Sequence, residues 1–231
     1  MNLHVSPDAP TAAAACARAV AGWLREAIAE RGIASLAVSG GSTPKLMFQV
    51  MTGLGLDWQK IHLFWVDERA VPPDDEQSNF GMTLENLIRP AAIPEQNVHR
   101  MFGEWDAVDA AMVYAQELER FFGARVPTFD VVQCGVGDDA HTASLFPGEP
   151  LIEDRRGVAA GIWVEKKQQW RITLLPAAIL AARHLCVLSS GANKADALHR
   201  ALRGPADPLG VPSQLLRDAD RLHGIPGVIV H

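Results

Sequence analysis

The stretch from Val131 to Gly148, VVQCGVGDDAHTASLFPG, holds the residues best suited to move a proton. His141 can change charge near neutral pH, and Asp139 stands two positions before it on a glycine turn. A carboxylate there can fix the imidazole tautomer, provided the segment turns rather than running on as a regular helix. A lone histidine more often serves a structural hydrogen bond, so the weight falls on its surroundings. Gly135, Gly137 and Ala140 formally match the G-x-G-x-x-G/A turn of a dinucleotide site, with Glu153 and Asp154 near the expected acidic position. That reading fails: the fingerprint needs a helix continuing from its last position. Pro147 and Gly148 cut the segment short, and Asp138 and Asp139 would repel a pyrophosphate.

Three other polar segments carry complementary chemistry. In SGGSTPK, Ser39 to Lys45, Gly40 and Gly41 open backbone conformations closed to other residues. Ser42 and Thr43 supply hydroxyls and are expected to cap the next helix, with Pro44 in its first turn. Such a nest of N–H groups suits a single phosphate, and the lysine-serine pair of a nucleoside-triphosphate loop is missing. An ordinary capped turn fits the same local sequence equally well. In WVDERAVPPDDEQSNFGM, Arg69 has the planar fork that grips a phosphate or carboxylate. Asp67 suits sugar hydroxyls or the orientation of Arg69; Asn79 follows the proline-containing loop, with Ser78 as a helix cap. Charges placed after a strand commonly face water, so this loop alone decides little. In SGANKADAL, Gly191 opens a helix whose first turn carries Lys194. Lys166, Lys167 and Arg171 flank the run RITLL, and Arg171, at its start, is the best placed to join Lys194 on an anion.

No H-E-x-x-H motif, Cys/His cluster of zinc spacing or G-x-S-x-G elbow occurs. Neither a metal nor a cofactor is therefore expected.

These segments need a scaffold that brings them together. Short apolar runs at 3–6, 35–39, 61–66, 129–134, 158–164, 171–174, 184–189 and 228–230 read as strands. Several are almost wholly apolar, as in strands covered on both faces. Helical patterns alternate with them. TAAAACARAVAGWLREAIAERG closes at Gly32, and DAVDAAMVYAQELERFFG sets Val108, Ala111, Met112, Ala115, Leu118 and Phe122 on one face. Further helices are expected near Pro44, Asn79, Asn193 and Pro212. The alternation predicts an α/β fold: a mostly parallel, Rossmann-like sheet flanked by helices on both faces, forming one domain over residues 1–231. In such sheets ligands bind beyond the carboxyl ends of the strands, where all four polar segments would gather.

In order and spacing, SGGSTP, WVDERAVPPDDEQSN, GVGDDAHTASLFPG and RITLLPAAIL…SGANKADAL resemble the motifs of the 6-phosphogluconolactonase family over nearly the whole chain. HTASLFPG is the most specific of them. The resemblance implies a deaminase/isomerase-like fold and hydrolysis of 6-phospho-D-glucono-1,5-lactone to 6-phosphogluconate, the second step of the oxidative pentose phosphate pathway. On this expectation His141 activates water and Asp139 orients it. Arg69, or N–H groups around Gly137, stabilises the oxyanion. Gly40, Gly41, Ser42, Thr43, Arg171 and Lys194 hold the phosphate, with Asp67 and Asn79 lining the site; Arg69 is alternatively a phosphate ligand. The related deaminases carry an acid after the histidine, where this chain has Leu145, Phe146 and Pro147. Hydrolysis is thus favoured over amino-sugar ring opening and isomerisation, or over a sugar-phosphate sensor without turnover. The chain departs from the family at Ala140, where glycine is usual, at the extra acid Asp138, and at Asp75-Glu76. If Ala140 needs a positive φ, the turn carries about 1 kcal/mol of strain.

The bulk composition argues against nucleic acid and membrane as partners and does not exclude the sugar-phosphate substrate that the resemblance implies. The net charge is −6 over 231 residues, apolar residues make up 48% and charged residues 21%. Arg18 and Arg25 interrupt the N-terminal apolar segment, no basic region precedes it, and no run is long enough to span a bilayer. Cys16, Cys134 and Cys186 are widely spaced, Cys134 and Cys186 lie in apolar runs and read as buried thiols, and the expected compartment is the cytoplasm. The six tryptophans suit a core and a subunit interface equally, and oligomeric state has no signature here.

Overall fold

A computed structural model of the chain describes residues 2–217 and 227–230, the latter as backbone. Its strands are β1 Asn2–Val5, β2 Ala34–Val38, β3 Ile61–Trp65, β4 Asp67–Arg69, β5 Val98–His99, β6 Val131–Cys134, β7 Ala159–Val164, β8 Gln169–Leu174, β9 His184–Ser189 and β10 Gly227–Val230. The α-helices are α1 Ala9–Arg31, α2 Ser42–Met51, α3 Asn79–Thr83, α4 Ala107–Phe122, α5 Pro176–Leu180 and α6 Ala195–Arg203.

Seven strands form one sheet in the order β1-β10-β9-β6-β2-β3-β5, and every pair is parallel. The central strands are apolar throughout: all five residues of β2 and all four of β6 are buried. Continuous burial requires cover on both faces. Successive side chains of β3 point opposite ways. His62 and Phe64 meet Phe121 of α4, while Trp65 meets Phe80 of α3, so helices lie on both sides as expected. The chain runs from β2 outward to β3 and β5, then returns to lay β6 on the other side of β2. At that reversal the loops after β2 and β6 part, leaving a crevice at the strand ends.

Several features differ from the sequence expectation. Residues 159–164 and 169–174 do not join the parallel sheet. They form a β7–β8 hairpin which, with β4, makes a separate antiparallel sheet in the order β4-β8-β7. Their connection is only a 3-10 turn, Glu165–Lys167, followed by Gln168 at φ 48, and a link that short permits only antiparallel neighbours. The charged residues Asp67, Glu68 and Arg69 are a strand rather than a loop, and Arg171 lies inside β8 rather than at its start. On α4, the apolar stripe is rotated: Ala107, Ala110, Ala111, Tyr114 and Leu118 are buried, while Val108 and Met112 are exposed. Tyr114 sets that rotation, because its hydroxyl accepts from the Trp65 N–H (3.0 Å) and donates to the Trp65 carbonyl (2.9 Å).

α1 spans the whole alanine-rich segment, capped by Asp8 and ended by Gly32 at φ 84. The helix expected near Pro212 is a 3-10 turn, Pro212–Arg217. Among the described residues no helix is long and apolar enough to cross a membrane.

Candidate active site

The four polar segments meet at the carboxyl ends of β2, β3, β6 and β9. There they line a pocket of about 280 Å³ that contains Gly40, Gly41, Ser42, Thr43, Asp67, Arg69, Asn79, Gly137, His141, Arg171 and Lys194. Asp139 is the one expected site residue outside it. It stands behind His141, with Oδ1 2.6 Å from His141 Nδ1.

The segment after β6 turns rather than extending as a helix. Gly137 N–H donates to the His141 carbonyl (2.8 Å) and Ala140 N–H to the Gly137 carbonyl (3.1 Å). Ala140 has φ 71, so the turn imposes on alanine a conformation costing roughly 1 kcal/mol. The folded turn brings Asp139 back onto the imidazole. A carboxylate only accepts, so Nδ1 carries the proton and Nε2 is the basic nitrogen. Two neighbours hold the ring. Phe146 stacks on it at 4.1 Å between centroids and 18° between planes. The Gly137 backbone also lies against the ring, where a Cβ would fall 2.0 Å from Nδ1. The Gly137 N–H is engaged within the turn by the His141 carbonyl.

Asp139 uses both oxygens. Oδ2 accepts from Lys166 Nζ at 2.5 Å, and Oδ1 also accepts the His141 N–H at 3.1 Å. Partial burial raises the carboxyl, but the hydrogen bonds from His141 and Lys166 outweigh it and hold Asp139 well below the usual carboxylate range. Lys166, considered in the sequence as a phosphate ligand, is therefore engaged elsewhere, and of the three basic residues near β8 only Arg171 lines the pocket.

The opposite wall is basic. β4 and β8 pair so that Arg69 and Arg171 are direct cross-strand partners. Like charges set opposite each other repel unless an anion or nearby acids compensate. Both Nε atoms are buried and without a partner among the described residues, and both residues line the pocket. Burial lowers the Arg171 pKa, with Arg69 adding to it and Asp67 and Glu68 opposing. Arg69 is aimed by its Nη1 bond to the Gln77 carbonyl. Glu68, buried beneath, ties the loop down by accepting from the N–H groups of Arg69, Asn79 and Phe80 and from Ser78 Oγ. Ser78 caps α3 as expected, accepting from Gly81 N–H.

At the far end, α2 begins without a side-chain cap: Gly41, at φ 118, is the N-cap residue. Ser42 and Thr43 do not cap the helix. Thr43 Oγ1 lies 2.7 Å from Ser190 Oγ instead, linking the loop after β2 to the loop that carries Lys194. The start of α2 is thus without a side-chain cap, the kind of terminus that suits an anion. Gly40 admits Asn79, since a Cβ there would sit 1.8 Å from Asn79 Oδ1. Asn79 Nδ2 donates to the Asp67 carbonyl (2.9 Å), and Ser144 Oγ donates to Asp67 Oδ2 (2.6 Å).

A sequence profile of the family described as glucosamine-6-phosphate isomerases/6-phosphogluconolactonase matches residues 7–223. The chain belongs to this family. It is 37% identical over 227 residues to a 6-phosphogluconolactonase of Nostoc sp., covering 96% of this chain and 93% of that one. To one of Synechocystis sp. it is 38% identical over 204 residues, covering 86% and 84%. The solved 6-phosphogluconolactonase of Shewanella baltica superposes with a TM-score of 0.89 at 28% identity, covering all of this chain and 98% of that one. A monomeric glucosamine-6-phosphate deaminase, at 19% identity and TM-score 0.83, shares the fold.

The residues that sequence reasoning gave no task are Phe146, Gln77, Ser144 and Ser190, and Lys166 was read as an anion ligand rather than as the partner of Asp139. Phe146 and Ser144 lie in the HTASLFPG string, whose strength pointed at them without assigning them a task. Gln77 acts through its main chain and has no side-chain signal. Among the described residues, no three His, Cys, Asp or Glu side chains are grouped to hold a metal.

Proposed function

We propose that this chain hydrolyses 6-phospho-D-glucono-1,5-lactone to 6-phospho-D-gluconate, as a lactonase of the oxidative pentose phosphate pathway. The observation that carries the reading is a carboxylate-backed imidazole sharing one pocket with two arginines whose Nε donors lack partners. The names of the relatives support the same substrate.

In this mechanism the phosphate sits on the N-terminus of α2, with Arg171 and Lys194 supplying charge. That anchor fixes the distant lactone ring and supplies the orientation on which rate depends. Asp67 and Asn79 face the sugar hydroxyls. Neutral His141 takes a proton from water at Nε2 as the water oxygen bonds to C1. Asp139 keeps Nδ1 protonated and stabilises the imidazolium that forms. Arg69, next to the carbonyl, stabilises the oxyanion of the tetrahedral intermediate. The C1–O5 bond then breaks, the ring oxygen receives the proton from His141, and the product acid ionises. A general base of this kind contributes roughly a hundred- to ten-thousandfold. No covalent intermediate is needed, because a lactone is an activated ester.

The test is a timed assay on freshly generated lactone with a no-enzyme control, since the substrate opens unaided. The expected result is a protein-dependent rate that saturates with substrate. Absence of that rate, or release of ammonia from glucosamine 6-phosphate instead, would overturn the assignment.

A further inference from the structure

The cavity behind the dyad is separate from the substrate pocket. About 400 Å³ in volume, it is bounded by Asp139, Phe146, Ile162, Val164 and Lys166. Phe146, Ile162 and Val164 form their own small apolar cluster there, apart from the main core. The tip of the β7–β8 hairpin, Glu165–Lys167, overhangs it, and from that tip Lys166 reaches Asp139.

We infer that Lys166 is a positioning residue of the reaction, completing a chain Lys166–Asp139–His141 that locks the carboxylate and keeps the imidazole available as a base. The inference rests on the lactonase reading above. Two physical consequences follow from the geometry. First, Asp139 is gripped at both oxygens, by His141 on Oδ1 and Lys166 on Oδ2, so it cannot rotate about its own axis without breaking a charge-assisted bond. Without Lys166 the second oxygen is free, and the aim of His141 loosens. Second, the ammonium offsets the charge of Asp139 as felt by the ring. Removing it leaves an uncompensated anion 2.6 Å from Nδ1, which favours imidazolium and depletes the neutral base.

The other charged groups around the chain are Asp138, 3.9 Å from the Lys166 ammonium, and Glu149 and Glu165 on the cavity side. On the pocket side they are Asp67, Arg69, Arg171 and Lys194. Glu165 is held by Trp163 Nε1 (2.7 Å) and Gln168 Nε2 (2.7 Å) and does not bond Lys166. All of these remain in the variants below. Lys166 is half exposed, so its replacement threatens the site rather than the fold.

The experiment compares K166M, K166R, K167M and H141A with the parent enzyme, measuring kcat, KM and the pH profile on fresh lactone. K166M should lose about 1.5- to fivefold in kcat, the range of one screened ion pair, with KM unchanged. The acidic limb of its profile should move to higher pH. K166R should recover most of the loss, and K167M, whose lysine bonds neither aspartate, should match the parent. A K166M enzyme with parental kcat and profile, beside a dead H141A, overturns this proposal alone. So does a K166M defect confined to KM or to thermal stability. An H141A enzyme at the parental rate overturns the lactonase mechanism and this proposal with it.

Discussion

At the scale of single residues, the site depends on how closely an imidazole can lie against a main chain. His141 stacks on Phe146 and lies against the backbone at Gly137, where only the absence of a Cβ makes room. Gly137→Ala should therefore displace the ring from Asp139 and cost at least about a hundredfold in kcat, as loss of the base would. Far-ultraviolet circular dichroism should stay unchanged, which separates displacement from unfolding. An active G137A enzyme would show that the ring has another productive position. The sequence made His141, Asp139 and the glycines legible because their chemistry is written in side-chain type and in the turn between them. Phe146 was not legible as a ring support, since an apolar residue after a histidine has no signature until the turn folds it back. Lys166 was legible as a cation but not by destination, because twenty-seven positions and a hairpin separate it from Asp139.

At the scale of elements, the alternation of apolar runs and helical patterns was enough for the parallel sheet and the convergence of its loops. It was not enough for β4. Asp67, Glu68 and Arg69 are charged and short, and they become a strand only because β8 arrives to pair with them. That pairing sets Arg69 beside Arg171, so the least legible element builds the most polar wall of the pocket. The rotated face of α4 has a similar origin. Strand β5 pairs only with Leu63 and Phe64 of β3, and the Tyr114 hydroxyl serves the N–H and carbonyl of Trp65 just beyond. Tyr114→Phe leaves both buried groups without that partner, at a cost of about 1–3 kcal/mol. The melting temperature should fall by about 2–4 °C for each of those kcal/mol. A melting curve superimposable on the parent would mean that water or a main-chain group replaces the hydroxyl.

At the scale of the whole molecule, stability should depend on two histidines at the sheet edge. His62 Nδ1 and His99 Nε2 lie 2.9 Å apart and share one proton, while His99 Nδ1 meets Glu117 at 2.9 Å. Burial lowers the pKa of both rings; His99 adds to the effect on His62, and Glu117 only partly opposes it on His99. The unfolded chain thus binds protons before the folded one as pH falls below the ordinary value of 6.5. Stability from this pair is complete above that value and is lost progressively below it, as pH descends through the lowered folded values. Asp139, depressed instead, holds its contribution down to far lower pH and is silent in this window. Urea midpoints should drop as pH falls below about 6.5, and H62Q should flatten the drop. Equal slopes in the two proteins would reassign it. The fold, the pocket and the proton chain converge on one imidazole, and the most direct test is kcat of His141→Ala at saturating fresh lactone, corrected for spontaneous opening. A fall of at least about a hundredfold with KM nearly unchanged is the predicted result; a kcat equal to that of the parent enzyme would contradict it.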